Sequence, residues 1–189
     1  MFREPDDLGR IHRLSLIANY QSLITNHFPM KPITVTQRFE VPAPQAWSLI
    51  SDLEGAPQRI EGIKKIEILT NGPAGRGTRF RETRVVFGRE HSEEMEITEW
   101  SPPRSYVLEC DSCGCHYRST MSVRPDGNGS VVEMNFEAQG MSFFAKLFGW
   151  LMGPMMAKQC RKAFEKDLGD LKRAAEAGNG SAAAAAPAV

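Results

Sequence analysis

Four ionisable side chains stand close together near the middle of the chain: Glu82, Arg84, His91 and Glu93. Glu82 and Arg84 belong to the run 78–87, His91 and Glu93 to the run 89–100, and Gly88 separates the two. Both runs read as strands, and side chains two apart on a strand share a face. Phe80 is the inward anchor of the first run, and Met95 and Ile97 anchor the second, so all four ionisable groups fall on one side near the turn. Carboxylates and imidazole are groups that move protons, and a guanidinium holds a carboxylate or a developing oxyanion. An acid held by Arg84 leaves the other acid for His91. Charges inside a fold are costly unless paired or hydrated. Two readings stand. One is a polar patch in an apolar site, with Glu82, His91 or Glu93 as acid or base and Arg84 as anion holder. The other is a solvated strand end beside a hairpin.

A second cluster, Cys110, Cys113, Cys115 and His116, has the spacing C-x2-C-x-C-H. This is no standard zinc pattern, and alternate side chains diverge at a hairpin tip, so no metal is assigned. The chain has no Gly-rich phosphate loop, nucleophile elbow or H-E-x-x-H, and no cofactor is expected. Of His12, His27, His91 and His116, only His91 sits on a core strand with an inward face.

The elements that must hold these groups come from 189 residues, enough for one domain with tails. The chain carries 23 Lys and Arg against 23 Asp and Glu, a formal net charge of zero. That balance argues against nucleic acid as a partner, which asks for a basic excess. Hydrophobic residues at 41% exclude disorder over the whole length. No apolar run reaches the ~20 residues of a membrane span. The most apolar stretch, Phe143 to Ala157, is interrupted by Lys146, Gly149, Gly153 and Pro154. The N-terminus has no signal-peptide pattern and four cysteines make no disulfide scaffold, so a cytoplasmic protein with reduced thiols is expected.

Three segments follow from the patterning. Residues 1–30 admit either a weak amphipathic helix or a start-site artefact, with Met30 as the true start. Residues 31–176 form the domain. Residues 177–189, AGNGSAAAAAPAV, are read as a disordered Ala-rich tail. Within the domain, Ile33–Val41 alternates as a strand, and Pro44, Trp47, Leu49, Ile50 and Leu53 mark a short helix. A second short helix is expected around Glu54 to Ile60. Six further strands are predicted at 63–70, 78–87, 89–100, 106–110, 117–124 and 131–138, and their short links demand antiparallel neighbours. After Gly140 the period changes: Phe144, Leu147, Phe148, Leu151, Met155, Cys160, Phe164, Leu168 and Leu171 mark a long helix capped by Ser142, which Pro154 should bend or break.

Alternation then assigns inward faces. Tyr106, Leu108 and Cys110 share one; Tyr117, Ser119, Met121 and Val123 another; Val132, Met134, Phe136 and Ala138 a third. The expected ligand contacts are Phe80, Glu82, Arg84, His91, Met95, Tyr106, Leu108, Tyr117, Met121, Met134 and Phe136 from the sheet. Phe148, Met152 and Met155 join them from the helix. Methionines adapt to irregular ligands, and they also simply fill cores.

The order strand, two short helices, six strands, long helix resembles the helix-grip fold. Phe39-Glu40-Val41-Pro42-Ala43-Pro44 with Ala46-Trp47, Gly75-Arg76-Gly77-Thr78-Arg79-Phe80-Arg81-Glu82, and Glu96-Ile97-Thr98-Glu99-Trp100-Ser101-Pro102-Pro103-Arg104 sharpen the likeness. The domain resembles the START-related SRPBCC superfamily, in its polyketide cyclase/dehydrase and lipid-transport-like group. The resemblance implies an α+β fold: a curved seven-stranded antiparallel sheet wrapped around a long C-terminal helix, enclosing a cavity for a hydrophobic small molecule. It does not fix an activity. Binding or transport of a lipid or polyketide-like molecule leads. A cyclase or dehydratase is the alternative. A membrane- or partner-docking module using the apolar segment Phe143–Met152, by peripheral contact only, is the third reading.

Overall fold

The computed structural model describes residues 31–86, 88–140 and 143–183; side chains at 86, 143–154 and 178–183 lie outside the description. The expectations for residues 1–30, for Ser142, for the tail from 184 on and for the side chains of Phe148 and Met152 fall outside it too.

The elements in chain order are β1 (Ile33–Phe39), α1 (Ala43–Ile50), α2 (Ala56–Arg59), β2 (Ile63–Ile68), β3 (Arg79–Val86), β4 (Arg89–Ser101), β5 (Ser105–Ser112), β6 (Cys115–Asp126), β7 (Gly129–Gly140) and α3 (Phe143–Ala183). The strands make one seven-stranded sheet in the order β1-β7-β6-β5-β4-β3-β2. Every neighbouring pair is antiparallel, as the short links require. The β5–β6 link is a two-residue turn whose central residues, Cys113 and Gly114, both have positive φ, 53° and 73°. Such turns match the twist of the strands they join.

Short helices close one end of the concave face. Proline in the first turn of α1 presets its φ, and Ala46, Trp47 and Ile50 are its buried face. Helix α3 lies along β1 and runs in the same direction. Arg161 Nη1 donates to the Thr34 carbonyl at 2.8 Å, Lys172 Nζ to the Arg38 carbonyl at 2.9 Å, and Glu176 accepts the Glu40 N–H at 2.8 Å. The helix continues through Pro154 without a break, although the missing N–H there removes one intrahelical bond. It reaches Ala183, inside the segment read as the tail.

One irregularity decides the β4 face. The register between β4 and β5 shifts between Ile97 and Glu99, so Thr98 is the extra residue of a bulge. Ile97 pairs with Leu108 and Trp100 with Tyr106, so both point inward. Strict alternation would have put Glu99 there instead. The convex face carries the opposite set, an ion-pair ladder in which Arg118 bonds Glu109 and Glu99, and Arg81 bonds Glu94 at 2.5 Å.

Candidate functional site

The β3–β4 register sets Glu82 opposite Glu93 and Arg84 opposite His91, on the face that Phe80 and Met95 share. Two carboxylates directly opposite one another repel. Each is given a partner within its own strand. Arg84 Nε donates to Glu82, and His91 Nε2 lies 3.2 Å from Glu93 Oε1. Arg84 has a second carboxylate: its Nη1 donates to Asp167 Oδ2 of α3 at 2.7 Å. Burial by itself would lower the Arg84 pKa, but the charges of Glu82 and Asp167 outweigh it and hold the guanidinium above its ordinary value. Exposure grades along the group. The Asp167 and Glu82 side chains are 9% and 11% exposed, Glu93 26% and His91 49%. Two sheltered carboxylates therefore lie inside, Arg84 at 28% and Glu93 are half-buried beside them, and the imidazole is at the rim.

The apolar wall beside it comes from β4, β5, β6, β7 and α3. The Tyr117 and Phe136 rings stack with centroids 5.7 Å apart, and Phe136 meets Phe164 of α3 at 5.1 Å. Met95, Leu108, Met121, Met134 and Cys160 pack against the buried core yet stay partly exposed. The Cys110 thiol is pushed up to about 12, by burial first and then by the charges of Glu93, Asp111 and Glu82. The Tyr117 phenol is raised by burial and by its neighbour Cys115, with Glu93 adding to the effect. Both groups are neutral near pH 7, and both feel the carboxylates of the patch.

Three of the expected contacts differ from the rest in exposure. Phe80 is 1% and Tyr106 5% exposed, so both are core residues. The Tyr106 hydroxyl is spent on the Ile50 carbonyl at 3.0 Å, and burial raises its pKa. Met155 is 53% exposed: it lies nine residues before Phe164, half a turn round the helix, and points away from the sheet. Cys113 sits exposed on its turn, and His116 bonds Asp111 on the convex side at 2.7 Å, so the thiol and imidazole diverge. Among the described residues no group of three His, Cys, Asp or Glu side chains is arranged to hold a metal.

Asp167 is the member that reading the sequence missed. It lies three residues after Phe164 and four before Leu171, on the buried stripe of α3, and helical period alone would have placed it there. A separate groove of about 290 Å³ is lined by Ser51, Asp52, Leu53, Ile68, Pro73 and Thr78. It lies at the β2–β3 loop, away from the ionisable patch.

Comparison with solved structures places this architecture among known folds. A START superfamily protein from Mycobacterium smegmatis aligns with TM-score 0.63 at 18% identity, covering 80% of this chain and 98% of that one. An aromatase/cyclase from a Streptomyces species aligns with TM-score 0.63 at 15% identity, covering 77% and 93%. A point mutant of norcoclaurine synthase from Thalictrum flavum, in complex with a transition-state analogue, aligns with TM-score 0.60 at 18% identity, covering 82% and 99%. At such identities the likeness is one of fold. Among curated proteins none matches. The family model described as polyketide cyclase / dehydrase and lipid transport matches residues 30–176, and the chain belongs to that family, with the helix-grip fold of the START-related proteins.

Proposed function

We propose that the protein binds a hydrophobic small molecule between the sheet and α3, at the end of the concave face that α1 leaves uncovered. The observation that carries this reading is the incomplete burial of Met95, Leu108, Met121, Met134 and Phe136 on the concave face. Apolar surface with a few polar groups is the ordinary make-up of a small-molecule site. The family supports the same reading, and among the described residues no helix is long and apolar enough to cross a membrane. The test is native mass spectrometry of the purified chain, with a co-purified hydrophobic molecule expected. A neutral environment-sensitive dye should bind, and Met134→Trp should weaken it about tenfold by filling the space. Unchanged dye binding in folded Met134→Trp would remove that face from the site.

A second reading, catalysis of cyclisation or dehydration, is favoured by the His91–Glu93 pair at 3.2 Å beside Glu82. An imidazole–carboxylate pair is a general acid–base unit, and one structural neighbour is an aromatase/cyclase. Under this reading His91→Gln abolishes turnover of a polyketide-like substrate and leaves its affinity unchanged. Under the binding reading, the same change alters affinity alone.

A further inference from the structure

The charges facing the concave site are unbalanced. Among the described side chains, Glu82, Glu93 and Asp167 are three carboxylates, and Arg84 and His91 are the groups that pair with them. Arg84 is shared between two of the acids, so that triad alone keeps one negative charge. Glu93 adds a second, which His91 offsets only when protonated. The other cations of β3 and β4 do not cancel it: Arg79 and Arg81 pair with Glu94 on the convex face, and Arg89, opposite Val86 on the concave side, is exposed at the start of β4, four residues from Glu93. The carboxylate with the most freedom, Glu93, lies within electrostatic reach of Tyr117, whose ring stacks on Phe136 next to Phe164. A carboxylate beside partly exposed aromatic rings is a setting that attracts an ammonium group and repels an anion.

We infer that the site selects hydrophobic ligands ending in an amine and rejects those ending in a carboxylate or phosphate. The inference rests on the binding reading above and goes beyond it by naming the ligand's polar end. The apolar tail lies against Met95, Leu108, Met121 and Phe136; the ammonium sits between Glu93 and the Tyr117–Phe136 pair. A fatty acid of the same length would bring its carboxylate to an already negative wall.

The experiment uses the full chain with bound Nile red, a neutral dye, at pH 7 and moderate salt. It is displaced by decylamine, decanol or decanoate below their micelle-forming concentrations. Decylamine should displace the dye at a concentration at least about tenfold lower than decanoate, the order expected of one partly solvated charge contact. Decanol should fall between them. Glu93→Gln should bring the two ends of the series together. His91→Lys, a change at an exposed rim position, should do the same by placing a permanent cation beside Glu93. If decanoate displaces as well as decylamine, the charge inference is overturned while the binding reading stands. If neither the dye nor any of the three binds, the binding reading itself fails. If the amine preference is present but unchanged in both folded variants, Glu93 is not its source and the inference falls.

Discussion

The two ends of the concave face are built from similar residue types and behave differently. At the end covered by α1, Trp47, Trp100 and Tyr106 form an aromatic cluster with centroids 5.3 to 6.2 Å apart, in which Trp47 and Tyr106 are buried and Trp100 is partly exposed. Val132 and Leu168 are almost fully buried. At the other end the rings of Tyr117, Phe136 and Phe164 are also in contact, but they and the methionines around them stay partly exposed. The first end offsets the conformational entropy of folding through dry, close packing. The second leaves apolar area uncovered, which lowers stability and makes room for a partner molecule. The difference arises from what covers the sheet, not from the strands, since β4, β5, β6 and β7 run through both ends.

Truncations should expose that division most directly. Leu168→Ala, at the closed end, leaves a cavity that the surrounding core cannot collapse around. It should cost about 2–5 kcal/mol in urea unfolding. Met95→Ala, on the partly exposed stretch in the row of Cys110 and Tyr117, should cost only about 1 kcal/mol. Equal losses at both positions would mean that the two ends are packed alike.

Next in size is the ion triad that joins the sheet to α3. Arg84→Gln leaves Glu82 and Asp167 sheltered without their cation and should cost about 2–3 kcal/mol, somewhat less than a fully buried pair. Adding Asp167→Asn should recover part of that loss, because it removes one of the stranded charges. A double variant less stable than Arg84→Gln alone would show that Asp167 is held by something other than Arg84.

The register around that triad was legible because Phe80 and Met95 anchor strands of unambiguous period two, so Glu82, Arg84, His91 and Glu93 had to share a face. Family resemblance supplied what covers the face. Two features were not legible. The Thr98 bulge turns Trp100 inward, and a one-residue shift has no mark in the composition of a strand. Asp167 was passed over because only apolar residues were followed along the helix, although a charged residue on a buried stripe is the more informative sign. The grading of exposure from Asp167 out to His91 depends on how far the strands extend past α3, which is a tertiary property.

Asp170 gives a smaller effect, tied to pH. Its carboxylate is buried, accepts the Glu61 N–H at 3.0 Å, and is flanked by Arg173 and by Lys166 at 3.6 Å. Burial works to raise its pKa, yet the Glu61 N–H and the two cations prevail and hold it below the ordinary carboxylate value. Its stabilisation is therefore present above that ordinary value and is lost as pH falls towards the lowered one. Asp170→Asn should cost about 1–2 kcal/mol at neutral pH. The gap from the parent chain should shrink steadily below about pH 4. A gap independent of pH would mean that the side chain's shape matters and its charge does not.

The smallest perturbation leaves stability nearly untouched and reads the open end through its thiols. Cys113 is exposed on its turn, whereas Cys110 is half-buried on the concave face with its pKa pushed up to about 12. Only the thiolate reacts with iodoacetamide. At pH 8 the Cys110 thiolate fraction is on the order of one in ten thousand, and access is restricted as well. Labelling followed by peptide mass spectrometry should find Cys113 modified at least about a hundredfold faster than Cys110. The raised value means that Cys110 supports folding fully below the ordinary thiol pKa and less as pH climbs from there towards 12. Glu93→Gln removes the largest charge contribution to the shift and should speed Cys110 several-fold while leaving Cys113 unchanged. A ligand seated between Glu93 and Tyr117 should slow Cys110 further, again without touching Cys113. Comparable rates at the two cysteines would place Cys110 in open solvent, and the open end of the face would then be surface rather than a site.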